Sequence, residues 1–152
     1  MYGSLTGLNK SEMKKKLGEK KVHEFRRSWS VKPEPLNRNS PFHPLNIEIY
    51  KDVPRENIPD SESLKQCYSR VIPYFKNEIQ NKLLKDNKNI LISFHGNSER
   101  SVLKYLFNLD EDKITKLEIP TGNPLMITFD SKNEIAKCHY LDQERAKDLI
   151  VF

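Results

Sequence analysis

The chain has 152 residues, with 26 Lys and Arg against 21 Asp and Glu, a formal net charge of +5, 36% hydrophobic and 31% charged residues, and a mean hydropathy of -0.73. That is one domain's worth of sequence, and a domain of that size buries roughly 70% of its unfolded surface, yet the apolar content is thin for a self-sufficient core. No apolar run approaches the roughly 20 residues of a membrane span, and the stretch MYGSLTGLNK has no apolar signal core.

The basic balance favours anionic partners. Eight Lys and Arg fall within KSEMKKKLGEKKVHEFRR, but acidic residues interrupt them, which argues against a nucleic-acid-binding tail. The two cysteines, Cys67 and Cys138, lie far apart without metal-ligand spacing and read as reduced thiols of a cytoplasmic protein.

In chain order, Asn9 followed by Glu12 is a capping-box-like start for a basic helix that Gly18 interrupts after Leu17. A second helix is predicted from Glu19 to Ser28, with Val22, Phe25 and Trp29 on one face. From Lys32 to Asp60 the chain carries six prolines and reads as a long, lid-like loop. Leu64, Cys67, Tyr68, Val71, Ile72, Phe75, Ile79 and Leu83 then share the face of a helix that Pro73 should kink. NILISF (89–94) is short and β-branched and reads as a buried strand. Ser98 to Asn108 reads as a helix with Val102, Leu103 and Leu106 inward, and DEDKITKLEI as a short helix ending before Pro120. PLMITFD and AKCHYL pair as a hairpin across SKNE, and Asp142 to Asp148 reads as a last short helix. A buried strand feeding helices argues for the α/β class. A single such strand cannot make a sheet, so part of the fold's usual complement is missing.

Three stretches could carry chemistry. In FHGNSER the strand ends at His95, Gly96 lets the backbone approach a ligand, and Asn97 or Ser98 would cap the next helix. Amides at such a helix start favour an anion, and a cationic His95 could hold a phosphate oxygen; the bland alternative is a helix cap with an incidental His. Arg26 and Arg27 suit phosphate or carboxylate, but adjacent helical residues face one ligand only at a helix end, and the residues alone favour a solvated basic face. Tyr2 and Lys10 sit in YGSLTGLNK, whose Gly3 and Gly7 permit close packing but match no phosphate-loop spacing. His23, His43 and His139 read as structural, and no spacing of His, Asp or Glu completes a metal site.

YGSLTGLNKSE, VHEFRRSW, SESLKQ, RVIPYFKNEI, HGNSER and IPTGNPL occur in this order. Together they resemble the later two-thirds of the cofactor-dependent phosphoglycerate mutases, of the histidine phosphatase superfamily. The resemblance covers nearly all of residues 1–152 and implies a three-layer α/β/α sandwich, truncated at its N-terminus. It implies an isomerase of glycolysis and gluconeogenesis that moves a phosphoryl group between the 3- and 2-positions of glycerate, with 2,3-bisphosphoglycerate as primer and a phosphohistidine on the way. By position, His95 matches the second catalytic histidine, which binds the phosphoryl group. Gly96 and Asn97 match the turn beside it. Arg26 and Arg27 match the arginine pair on phosphate and carboxylate, Tyr2 and Lys10 match substrate-contacting residues, and the 32–60 loop matches the region that closes over the pocket. The implied partner is a phosphoglycerate-type small molecule, with no metal, nucleic acid or membrane. Family members form dimers or tetramers, and the assembly of this chain stays open.

The chain departs from that pattern in what chemistry needs most. Nothing here matches the family's opening strand with its Arg-His-Gly nucleophile; the one His-Gly is His95-Gly96. Met1 stands where the family has a His, and the acid/base Glu before it has no counterpart. Phe94 replaces a small residue, and Glu99 replaces an apolar one and brings a carboxylate near the phosphate. Two readings follow. The chain is part of a mutase completed by an N-terminal fragment, inactive alone; or it is a non-catalytic remnant or weak phosphate-ligand binder.

Overall fold

The computed structural model describes residues 2–82 and 89–147. They fall into two compact units divided between Ser69 and Arg70, and one helix runs through that boundary. Helices and one small sheet place the chain in the mixed α/β class.

In the first unit, α1 (Lys10–Leu17) begins where the Asn9 side chain accepts the amides of Ser11 and Glu12, at 2.9 and 3.3 Å. Gly18 ends it and starts α2 (Glu19–Arg27). α1 buries no residue, while α2 buries Val22. The segment before α1 packs against the proline-rich loop. The Ser4 amide donates to the Glu34 carbonyl at 2.8 Å. Gly3 and Gly7 are both required there: each has a left-handed φ, +52° and +80°, and a Cβ would strike the Glu34 carbonyl oxygen or the Phe42 ring.

The 32–60 segment is ordered by its own polar groups. Three 3₁₀ turns (Pro44–Asn46, Glu48–Tyr50, Arg55–Asn57) punctuate it. His43 is 0% exposed, its Nδ1 accepting the Leu45 amide at 3.2 Å and its Nε2 lying 3.1 Å from Asp60 Oδ1. Arg38 Nε donates to both Asp60 oxygens, at 3.0 and 3.2 Å, and that hydrogen bond leads the causes holding the Asp60 carboxyl below the usual range. Asn46 Nδ2 donates to the carbonyls of Arg38 and Ser40.

α3 (Leu64–Tyr74) opens on a reciprocal cap: Ser63 Oγ accepts the Gln66 amide and Gln66 Oε1 accepts the Ser63 amide. Leu64, Cys67, Ile72 and Phe75 are buried, as their spacing requires. Past Pro73 the ladder loosens into a π segment, Phe75–Gln80, where the Asn81 amide reaches back to the Lys76 carbonyl. Leu83 lies outside the described residues.

In the second unit, α4 (Gly96–Leu106) buries Val102 and Leu103, while Leu106 is half-buried. It starts two residues before the expected Ser98 because His95, not Asn97 or Ser98, is the cap. α5 (Glu111–Lys116) buries Ile114 and is capped by Asp110. β1 (Leu125–Phe129) and β2 (Ile135–Tyr140) form the antiparallel hairpin, with Leu125 opposite Tyr140 and an irregularity between Thr128 and Phe129. Beyond it a 3₁₀ turn spans Glu144–Ala146, inside the expected last helix, whose Asp148 lies outside the described residues.

The strand expected at 89–94 does not form. Leu91 is 95% exposed and Ile90 39%. A strand exists only through a neighbour that takes its backbone groups, and among the described residues the one sheet is the β1–β2 hairpin.

Candidate functional site

Of the candidate residues, Tyr2, Lys10, Arg26 and Arg27 lie in the first unit, and His95, Gly96 and Asn97 in the second. In the first, α2 ends at Arg27 and Ser28 turns the chain out (φ -58°, ψ 144°), so both arginines stand at a helix end. A cation suits that end of the dipole. The Arg26 guanidinium carbon lies 4.6 Å from the centroid of the Tyr2 ring, which brings two of the candidates into cation–π contact. Arg27 Nη1 reaches the Arg26 carbonyl at 3.5 Å. Lys10 is exposed at the first residue of α1, where the helix dipole disfavours a cation, so local structure gives no reason for it.

In the second unit, His95 adopts extended backbone (φ -76°, ψ 142°) and its Nδ1 accepts the Asn97 amide at 3.3 Å. The His95 carbonyl takes the amides of Ser98 and Glu99 at 2.8 and 3.1 Å. The Gly96 amide has no hydrogen-bond partner among the described residues. A Cβ on Gly96 would meet only Arg100 Nη1, at 3.8 Å, an ordinary contact. The protein therefore does not itself need a glycine there; only a group brought against the turn would.

Arg100 carries a role the sequence reading missed. It is 3% exposed. Its Nε and Nη2 donate to the Leu117 carbonyl at 3.0 and 2.6 Å, and its Nη1 to Asn97 Oδ1 at 3.3 Å. It thus ties the His95 turn to the end of α5. Its place in HGNSER was visible, but its burial was not.

No family model matches the chain. It is 67% identical over 151 residues to the 2,3-bisphosphoglycerate-dependent phosphoglycerate mutase of Pelagibacter ubique, a match covering 99% of this chain and 63% of that protein. It is 42% identical over 149 residues to the protein of the same name from Maricaulis maris, covering 97% and 61%. The protein of that name from Borreliella burgdorferi is 43% identical over 143 residues, covering 94% and 57%. The chain is a partial-length member of this phosphoglycerate mutase family. It spans about 60% of the length of the curated relatives it matches.

Within this mutase-family chain, Glu99 stands in the first turn of α4, half-buried. Burial disfavours its charge and raises its carboxyl above the usual range, against the pull of Arg100. On β2, the Tyr140 phenol is pushed up to about 12, first by burial and then by the Glu99 charge. A groove of about 760 Å³ lies elsewhere in this unit, lined by Tyr105, Phe107, Phe129, Ile135 and Cys138 among others, and none of the candidate residues lines it. Among the described residues no group of three His, Cys, Asp or Glu could hold a metal, and no helix is long and apolar enough to cross a membrane.

Proposed function

We propose that this chain supplies the phosphate-clamping part of a 2,3-bisphosphoglycerate-dependent phosphoglycerate mutase, a cytoplasmic enzyme of glycolysis and gluconeogenesis that interconverts 3- and 2-phosphoglycerate. The observation that carries the reading is the His95 turn. With Nδ1 accepting the Asn97 amide, a neutral ring bears its proton on Nε2, and that N–H is a donor for a phosphoryl oxygen. The Gly96 amide beside it is a second donor. Arg26 and Arg27 take phosphate and carboxylate through charged forks, with Tyr2 holding Arg26 in place. Lys10 adds a further cation for substrate, and the 32–60 loop covers it. Phosphoryl transfer asks mainly for such positioning and charge stabilisation.

In the first unit two guanidiniums and an ammonium suit the phosphate and carboxylate groups of 2,3-bisphosphoglycerate, and in the second the His95 imidazole and the Gly96 amide suit a phosphoryl oxygen. When bound, that molecule supplies the phosphoryl group that primes the nucleophile. These 152 residues contain no Arg-His-Gly, and without a covalent nucleophile the reaction path is lost. Unaided, the chain has no turnover, and the partner this reading requires is a polypeptide segment bearing that histidine.

The test is an assay of 3- to 2-phosphoglycerate conversion by the purified chain, alone and co-expressed with the N-terminal segment of a family relative. Activity only in the mixture supports the proposal. Turnover by the chain alone, or acid-labile label on one of its histidines after incubation with labelled 2,3-bisphosphoglycerate, overturns the requirement for a second segment. The Glu99 carboxyl favours a second reading, a non-catalytic binder of phosphate ligands. In that case the mixture stays inactive while phosphate binding at the turn persists.

A further inference from the structure

The mutase reading leaves His43 unused, although its ring is wholly buried in the first unit. Pro44 has no N–H, so Leu45 carries the first free donor of the 3₁₀ turn Pro44–Asn46. His43 Nδ1 accepts that donor at 3.2 Å, and Nε2 lies 3.1 Å from Asp60 Oδ1. Together the two contacts fix the tautomer. Nδ1 must present a lone pair, so the ring is neutral and its one N–H, on Nε2, points at the carboxylate.

The charged groups around the ring act unequally. Asp60 touches it directly. Arg38 reaches it only through Asp60, both of whose oxygens it binds. That bond leads the causes holding the Asp60 carboxyl below its usual range, so Asp60 stays ionised in mild acid. Glu48 and Lys51, on the next turn, hold each other at 2.7 Å. Asp60 is also fixed through its backbone, since the Leu36 amide donates to the Asp60 carbonyl at 2.9 Å. An imidazolium has two N–H groups and no acceptor. A second proton would therefore add charge to the Asp60 contact and set one N–H against another at Leu45.

We propose that His43 is a pH-operated latch on the turn Pro44–Asn46: neutral, it caps the Leu45 amide; protonated, it stays on Asp60 and lets that amide go. The Leu45 contact is present at neutral pH and lost as pH falls through the range, about 8 to 5, where an imidazole ordinarily gains its charge. The gain at Asp60 offsets part of the loss at Leu45. The release is therefore local, opening the turn while the rest of the first unit keeps its fold. The latch needs none of the mutase chemistry.

The experiment measures amide hydrogen exchange in the full chain, wild type and His43→Gln, between pH 7.5 and pH 5. Each rate is divided by that of an unstructured chain at the same pH, which leaves the protection. Glutamine has a carbonyl to accept the Leu45 amide and an NH₂ to donate to Asp60, but it does not titrate. In wild type, Leu45 protection should fall about fivefold or more on acidification, the order of one lost hydrogen bond. The helical amides of Val22 and Cys67, bonded to the Gly18 and Ser63 carbonyls, should keep theirs. In His43→Gln, Leu45 protection should be the same at both ends of the range. If the variant fails to fold by circular dichroism, wild type decides alone: the fall at Leu45 must share its midpoint with the His43 ring-proton resonances. The latch is overturned by unchanged Leu45 protection in wild type, by an equal fall in the variant, by an equal fall at Val22 and Cys67, or by a different midpoint.

Discussion

The Arg100 guanidinium holds the Leu117 carbonyl with two hydrogen bonds, at 3.0 and 2.6 Å, inside the second unit where both residues are buried. Charge-assisted bonds of this kind contribute about 1.5–3 kcal/mol, and a buried carbonyl left alone costs a similar amount. Arg100→Met should therefore lower stability by about 2–3 kcal/mol in urea unfolding. It should also loosen the His95 turn, since Nη1 anchors Asn97. A loss below about 0.5 kcal/mol would remove Arg100 from this role.

His43 plays a similar part in the first unit, joining the Leu45 amide to Asp60 across the proline-rich loop. His43→Leu keeps the site apolar but strands the amide. The expected cost is about 1–3 kcal/mol, with faster proteolysis between Arg38 and Asp60. Unchanged digestion would show that the prolines and 3₁₀ turns hold the loop without it.

Two glycines should respond oppositely. Gly3→Ala forces a Cβ into the Glu34 carbonyl at a left-handed φ, and a loss above about 1 kcal/mol is expected. Gly96→Ala meets only ordinary contact, so thermal unfolding should be unchanged or slightly raised while phosphate binding weakens. If Gly96→Ala left phosphate binding intact, the close approach of an anion to that backbone would be refuted.

The Cys138 thiol is pushed up to about 11 by burial. At pH 8 its thiolate fraction should be about a hundredfold below that of an ordinary thiol near 9. The iodoacetamide rate at Cys138 should keep climbing past pH 10, whereas a plateau by pH 9 would contradict the burial argument. Cys67→Ser isolates the signal.

The 89–94 segment supplies a negative control. Leu91 is 95% exposed, so Leu91→Lys should change stability by no more than about 0.5 kcal/mol. A cost of several kcal/mol would mean that this side chain is buried in solution.

How much could be read from the residues depended on the range of the interaction. The helices followed from apolar spacing, and the Asn9 cap from residues three apart. The His95 cap was missed because an imidazole acceptor is not among the usual capping groups, although its turn was identified. The 89–94 strand failed because strand character is borrowed from a neighbour, and no local pattern reports whether one exists. Tyr2 against Arg26, and Arg100 against Leu117, join residues 24 and 17 apart. Sequence supplied the candidates in the first case and only the letter in the second.

The wide turn after Pro73 has a geometric effect of its own. An α-helix advances about 100° per residue and a π segment about 80°, so five steps from Phe75 bring Gln80 round to nearly the same side. Tyr105 is gripped accordingly at three points: the Phe75 ring edge-on at 6.2 Å, the Lys76 ammonium 4.6 Å from its centroid, and Gln80 Oε1 accepting its hydroxyl at 3.1 Å. Deleting one residue between Phe75 and Gln80 would restore regular winding and swing the amide away from the phenol, so here a helix irregularity works as an adjustable wrench set to the width of one aromatic ring.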